Sequence, residues 1–223
     1  REIYDGGSFG NGGAMRIAPV GVRYHKNPAQ LEKAVEAVVS LTHAHPIGLG
    51  GAYLLARLVA EMIQTEPPAK PDYPHQMNHD LAFDLLEILH RDLPVRWNPD
   101  GVWDDRLGRI KEMLQSHRTP PPPQLVAREL GCSSIVQESV TSAIFSALAR
   151  IHSLPHAIVY AVKIGGDTDT ISAMTGASMG VLHGVGHVPD PWWNELENGE
   201  EGRDYVVELG ESLVLRARET SDE

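Results

Sequence analysis

The chain has 223 residues and a formal net charge of -11, from 19 lysine and arginine residues against 30 aspartate and glutamate residues. This acidic balance argues against unspecific binding to nucleic-acid phosphates or acidic membrane surfaces, so we expect no direct nucleic-acid binding and no membrane association. The single cysteine, Cys132, excludes an internal disulfide and a zinc cluster of several thiolates, and it fits a reducing, intracellular compartment.

The chain opens with a glycine-rich loop, residues 1–13, in which five residues are glycine. Backbone N–H groups of such a loop can form an anion-binding nest, and residues 14–17 can open a helix whose positive end points the same way. The glycine spacing is not the dinucleotide fingerprint and no strand precedes it, which disfavours a Rossmann fold. A flexible surface loop remains the open alternative.

Helical periodicity dominates the rest of the chain, with prolines at residues 65–78 and 120–123 as connectors. We predict helices over residues 28–43, 47–64, 80–90, 104–116, 124–130, 137–150 and 155–164, one that begins at Asp167, and a last one from Arg203 to Arg218. Trp192 and Trp193 favour a lid on the core over a base-stacking platform. With no alternating strand pattern and no internal repeat, the predicted fold is all-α, a helical bundle in one domain.

The most informative stretch is residues 165–177, Gly-Gly-Asp-Thr-Asp-Thr-Ile-Ser-Ala-Met-Thr-Gly-Ala. Four side chains that carry oxygen, at residues 167–170, follow two glycines and precede a helical pattern. Aspartate and threonine are good N-caps, so helix capping is one explanation. One cap needs only one such residue, and two acids in a tight turn repel unless a cation or a donor compensates. We therefore favour a metal or substrate site and keep capping as the alternative.

Two separated segments, residues 7–16 and 165–177, resemble the ADP-ribosylglycohydrolases. Residues 41–45 and the stretch from Glu129 to Val140 fall in the order expected of that family. The resemblance covers nearly the whole chain, and Gly-Gly-Asp-Thr-Asp-Thr is its specific part. It implies the family's all-α, orthogonal helical bundle over residues 1–223, and the likeness is greatest to the type that acts on serine-linked ADP-ribose and poly(ADP-ribose).

The resemblance implies a two-magnesium centre, for which Asp167, Asp169 and Thr170 match three of the ligands. Their chemistry supports the same assignment, because hard carboxylate and hydroxyl oxygens suit magnesium better than zinc. Two acids and one hydroxyl are nevertheless too few to hold two magnesium ions without further ligands.

The resemblance also implies a binding loop for the ADP part of the ligand, where Phe9 would stack on the adenine. The matching residues are Ser8, Phe9, Gly10 and Asn11. His43 lies in a predicted bend between helices, where by itself it would be interpreted as a residue that only makes a structural hydrogen bond. In the resemblance it matches a residue of the pocket wall. Ser133 and Ser134 stand where the relatives have Gly and Ile, so the chain departs from the family at that wall.

The family domain begins with an earlier segment that carries the catalytic glutamate and a Thr-Asp-Asp run, and neither is found in this sequence. The chain also begins at Arg1 rather than at a methionine. We therefore expect a piece of a longer enzyme, inactive by itself, whose proton-transfer glutamate lies before residue 1. A degenerate copy that binds without cutting is the alternative.

The implied activity is magnesium-dependent removal of ADP-ribose from proteins, above all from serine, or cleavage of poly(ADP-ribose), in the DNA damage response. The expected partners are ADP-ribose, ADP-ribosylated proteins and the polymer. We expect a monomer in the cytoplasm, the nucleus or, in a eukaryote, also the mitochondrial matrix. The rival hypotheses are a non-catalytic ADP-ribose or nucleotide-binding module and a helical scaffold whose acidic turn is only a cap.

Overall fold

The computed structural model describes residues 6–69 and 76–219, the last two of these by their backbone alone. Over these ranges the chain forms helices and turns, and its one ladder-type contact is an isolated antiparallel bridge between Gly10 and Ile135. The all-α prediction is therefore confirmed. The α-helices are α1 (Ala18–Arg23), α2 (Pro28–Val39), α3 (Pro46–Met62), α4 (His79–Asp92), α5 (Val102–Ser116), α6 (Pro123–Leu130), α7 (Val136–Ala149), α8 (Leu154–Ile164), α9 (Thr168–His183), α10 (Asp190–Glu195) and α11 (Arg203–Glu219).

The predicted helices are present, with ends that differ by a few residues. α2 begins after Asn27, whose side-chain oxygen accepts the N–H of Gln30 at 3.1 Å, as an N-cap does. It ends at Val39 rather than near residue 43, because the N–H of Thr42 already turns back to the Val39 carbonyl at 3.1 Å. The helix expected to open at residues 14–17 is a 3-10 turn, which leads directly into α1.

Two predictions extend beyond the described residues. Residues 1–5 of the glycine-rich segment lie outside them, and so do residues 70–75 of the first connector. The described parts of that connector, residues 66–69 and 76–78, contain no helix, as its prolines predicted. Where the structure describes the chain, no helix combines the length and the apolar character needed to cross a lipid bilayer.

Helix α3 forms the centre of the core and is buried along nearly its whole length. A helix that is apolar on all sides must be covered on all sides, and α1, α2, α7 and α9 pack around it. Gly50 and Gly51 permit close approach, because a Cβ on Gly50 would overlap the carbonyl of Trp97 and one on Gly51 would overlap a methyl of Val136. The first residue of α7 therefore lies directly against α3.

The prediction that Trp192 and Trp193 cover the core is wrong. The Trp192 side chain is 37% exposed. The guanidinium of Arg203 lies over the Trp193 ring, 4.8 Å from the ring centroid. The same guanidinium donates to the main-chain carbonyl of Trp193 at 3.0 Å. These tryptophans sit in α10, and Trp193 ties that helix to the start of α11.

Candidate functional site

The glycine loop, residues 6–13, lies along the segment that leads into α7. The carbonyl of Phe9 accepts the N–H of Val136 at 3.2 Å, and the N–H of Asn11 donates to the carbonyl of Ser134 at 3.0 Å. Inside the loop, the Ser8 hydroxyl accepts the N–H of Gly10 at 3.3 Å. The loop is therefore fixed by paired backbone bonds, and four of the predicted ligand residues belong to this one ordered turn.

The acidic turn, residues 165–170, precedes and opens α9. Asp167 occupies the N-cap position, but its side chain makes no capping hydrogen bond. Instead, its Oδ2 accepts from the Nδ2 of Asn11 at 2.5 Å. The capping alternative is therefore wrong for Asp167, whose carboxylate faces the glycine loop. Asp169 and Thr170 lie in the first turn of α9, where Asp169 is exposed and Thr170 half-buried.

A third segment, the bridging loop at residues 131–135, joins the other two. The carbonyl of Cys132 accepts the N–H of Asp167 at 2.7 Å, and two residues later the carbonyl of Ser134 accepts the N–H of Asn11. The side chain of Asn11 is buried, with 6% exposure, between the acidic turn and this loop. The sequence predicted Ser133 and Ser134 only as a pocket wall, whereas here the main chain of the loop connects the two halves of the site.

The bridging loop is supported from behind by Glu138 and Arg106, which the sequence did not predict as site residues. Glu138 accepts the N–H of Ser133 at 3.0 Å. Burial alone would raise the pKa of the Glu138 carboxyl, but hydrogen bonds from Ser133 and Cys132 and the charge of Arg106 outweigh it and lower the pKa. A glutamate at a helix start and an arginine on another helix leave no periodic signal, so only their contacts reveal them.

His43, which the resemblance assigned to a pocket wall, lies against the glycine loop. A Cβ on Gly12 would come within 2.8 Å of the His43 Nε2, so the ring occupies the space beside that backbone. Its Nδ1 lies 2.8 Å from the Thr42 hydroxyl, which also accepts from Arg16 at 2.5 Å. Burial, and secondly the charge of Arg16, lower the pKa of His43 below 6.5. The imidazole is therefore neutral at physiological pH.

We expect the pKa of His43 to rise towards 6.5 in the variant Arg16→Gln, because the charge that opposes protonation is removed while burial persists. The measurement is an NMR titration of the His43 ring, with Lys111→Gln on α5 as a matched control. Because the folded pKa is the lower one, the contribution of His43 to stability is complete above about 6.5 and falls as the pH drops towards the folded pKa. A pKa that moves equally in both variants would contradict the role of Arg16.

Phe9, in the glycine loop, is 43% exposed, so part of its ring is open to solvent. The ring of Phe9 contacts the ring of His45 edge-on, with the two centroids 5.3 Å apart. His45 is itself held as the N-cap of α3, since its Nδ1 accepts the N–H of Ile47 at 3.1 Å. Phe9 is thus oriented by one aromatic contact and still offers surface for a planar ligand.

The acidic turn supplies oxygen donors of the kind that magnesium prefers. Asp167 and Asp169 offer carboxylates and Thr170 offers a hydroxyl, and magnesium commonly takes one or two protein carboxylates together with water and substrate oxygens. One oxygen of Asp167 is already engaged by Asn11. Among the described residues no group of three or more His, Cys, Asp or Glu side chains is arranged to hold a metal ion. These donors fit one magnesium ion in kind and are too few for two.

Comparison with known proteins gives one consistent family. The family model for ADP-ribosylglycohydrolases matches residues 1–223. The ADP-ribosylhydrolase ARH3 of Homo sapiens is 33% identical over 208 residues, which cover 87% of this chain and 56% of that protein. The ARH3 of Xenopus tropicalis is 29% identical over 232 residues, covering 99% of this chain and 65% of that protein.

A bacterial relative is more distant. The ADP-ribosylarginine hydrolase Tri1 of Serratia proteamaculans is 24% identical over 210 residues, covering 94% of this chain and 48% of that protein. The chain therefore spans roughly half to two-thirds of the length of the curated relatives that it matches.

Proposed function

Because the chain belongs to the ADP-ribosylglycohydrolase family, we propose that it forms the ADP-ribose-binding part of a hydrolase that removes ADP-ribose from modified proteins. Relatives named ADP-ribosylhydrolase and ADP-ribosylarginine hydrolase support this class of reaction. The observation that carries the proposal is the bond between Asn11 and Asp167, which joins two motifs that are 156 residues apart. A folding role alone gives no reason to place an acid-rich turn beside a glycine loop.

In this proposal the glycine loop binds the ADP part of the ligand. The exposed face of Phe9 stacks on the adenine, and His43 forms a neutral wall beside the loop. Arg16, which donates to the carbonyl of Gly12 at 3.0 Å, brings a positive charge next to the loop and favours the diphosphate. The side chain of Asn11 is assigned to Asp167 rather than to the ligand, because it is buried and already bonded.

We further propose that Asp167, Asp169 and Thr170 hold magnesium. Bound there, the cation would neutralise negative charge and polarise a water and the ribose oxygens. The bond from Asn11 to Oδ2 fixes the rotation of the Asp167 carboxylate and leaves Oδ1 as the oxygen that can face a cation. Bond cleavage would pass through an oxocarbenium-like transition state, as in other glycoside hydrolyses. The substrate proposed is serine-linked ADP-ribose or its polymer.

The test is calorimetry of the recombinant chain with ADP-ribose, with and without magnesium. We expect binding that magnesium tightens. Asp169→Ala should abolish the tightening while leaving metal-free binding intact, because in this proposal the exposed carboxylate of Asp169 holds the cation and does not bind the ADP part. Asp105→Ala, an exposed aspartate in the first turn of α5, is the matched control. Absence of heat under both conditions would reject the ADP-ribose site.

A non-catalytic ADP-ribose-binding module is the second candidate, favoured by the small number of metal donors among the described residues. The two candidates separate when the full-length protein is offered a peptide that carries ADP-ribose on serine. Release of ADP-ribose supports the hydrolase. Binding of the peptide without release, and no cleavage of the polymer, supports the module.

A further inference from the structure

The bridging loop contacts both halves of the site through two main-chain carbonyls only two residues apart. Cys132 accepts the amide of Asp167, and Ser134 accepts the amide of Asn11. Any displacement of this short loop would therefore change the positions of the glycine loop and the acidic turn together. The loop itself is held by the side chains of Glu138 and Arg106.

Glu138 holds the middle of the bridging loop. Its carboxylate accepts the N–H of Ser133 at 3.0 Å, and the backbone of Cys132 bonds to it as well. The side chain lies across Gly131, where a Cβ would come within 2.6 Å of the carboxylate oxygen. Gly131 has a φ of +78°, so the chain turns tightly around Glu138 at a position that favours glycine.

Arg106, on α5, holds the two helix ends that flank the loop. Its guanidinium donates to the carbonyl of Leu130, the last residue of α6, and to that of Gln137 at 3.0 Å. Its Nε donates to Gln137 as well, at 3.1 Å. The positive charge of Arg106 also favours the ionised form of Glu138. These two residues thus fix both the ends and the middle of a five-residue segment.

We propose that Glu138 and Arg106 are positioning residues that hold the bridging loop and thereby set the relative placement of the glycine loop and the acidic turn. Neither side chain needs to touch the ligand for this role. This proposal rests on the proposed function only for the identity of the ligand, because the contacts of Glu138 and Arg106 do not depend on what the site binds.

The test uses amide hydrogen exchange of the whole chain, measured by NMR without any ligand. In Glu138→Asp the carboxylate is one methylene shorter and no longer reaches Ser133, so the protection of the Asn11 and Asp167 amides should fall about tenfold. Glu138→Gln keeps an oxygen that can accept the same bond, and we expect it to restore most of the protection. Amides in the middle of α3 should keep their protection in both variants.

Glu36→Asp is the matched control, since this exposed glutamate pairs with Arg96 at the surface. Unchanged protection of Asn11 and Asp167 in Glu138→Asp would overturn the proposal, and so would an equal loss in α3, which would mean general destabilisation. Glu138→Ala should reproduce the loss, but Glu138→Asp alone decides the matter where the alanine variant does not fold.

A second arm measures ADP-ribose affinity by calorimetry, which should fall about tenfold in Glu138→Asp and recover in Glu138→Gln. Full affinity despite lost protection would overturn the positioning role. If the unmodified chain binds no ADP-ribose while the exchange results hold, the proposed function fails and the positioning role stands.

Discussion

Gly166→Ala should lower the free energy of unfolding by about 4 kcal/mol. Gly166 has a φ of +67°, and a Cβ there would overlap the carbonyl oxygen of Cys132 and lie 2.7 Å from its Sγ. The same carbonyl accepts the amide of Asp167. The methyl group must therefore push the acidic turn away from the bridging loop, and we expect ADP-ribose binding to be lost with the stability.

The matched comparison is Gly165→Ala, one residue earlier. Gly165 also has a positive φ, of +87°, but a Cβ there would meet nothing within 4 Å. In this variant only backbone strain lowers the free energy of unfolding, by about 2 kcal/mol. The hydrogen bond between Asp167 and Cys132 should be kept. Urea unfolding followed by circular dichroism measures both changes. Equal losses in the two variants would show that strain, and not the contact with Cys132, dominates at Gly166.

Asn11→Asp should destabilise the folded chain by about 3 kcal/mol at neutral pH, because it replaces a buried donor with a second carboxylate facing Asp167. Asn11→Ala, which removes the hydrogen bond without adding a charge, should cost about 1 kcal/mol. Two facing carboxylates bind a proton more readily in the folded chain than in the unfolded chain. The stability that Asn11→Asp loses beyond that lost by Asn11→Ala should therefore shrink as the pH falls towards about 4.

Magnesium gives this prediction a second readout. Excess magnesium should restore part of the stability of Asn11→Asp, because a cation compensates two facing carboxylates, and it should do little for Asn11→Ala. Urea unfolding of both variants with magnesium and with equal ionic strength of sodium separates specific binding from screening. If Asn11→Asp is no less stable than Asn11→Ala at neutral pH, Asn11 does not bond to Asp167 in solution.

The helices and the main motifs could be predicted from the sequence because both depend on local patterns. Apolar spacing marks α3 and α7, and the run of oxygen-bearing residues marks the start of α9. The end of α2 was predicted too late, since a tightening last turn leaves no mark in the spacing of apolar residues. Local patterns therefore fix element types better than element ends.

Long-range hydrogen bonds could not be predicted in this way. Asn11 was predicted as a ligand-binding residue of its loop, and nothing near it in the sequence indicates that its side chain bonds to Asp167. Arg106 donates to main-chain carbonyls 24 and 31 residues away, and Glu138 accepts a main-chain N–H five residues earlier, so neither bond has a partner residue type that a sequence pattern could reveal. The candidate site was thus predictable as two motifs but not as one connected structure.

The two carbonyls of the bridging loop have a consequence for how this protein can change over evolution. Because Ser134 holds the glycine loop through its main chain, replacement of its side chain leaves that bond in place. In the proposed function, a substitution at Ser134 would reshape the edge of the ligand pocket while the glycine loop stays held. The side chain of Ser134 and the bond that holds the glycine loop thus involve different atoms of the same residue, so the side chain can vary without loss of the bond.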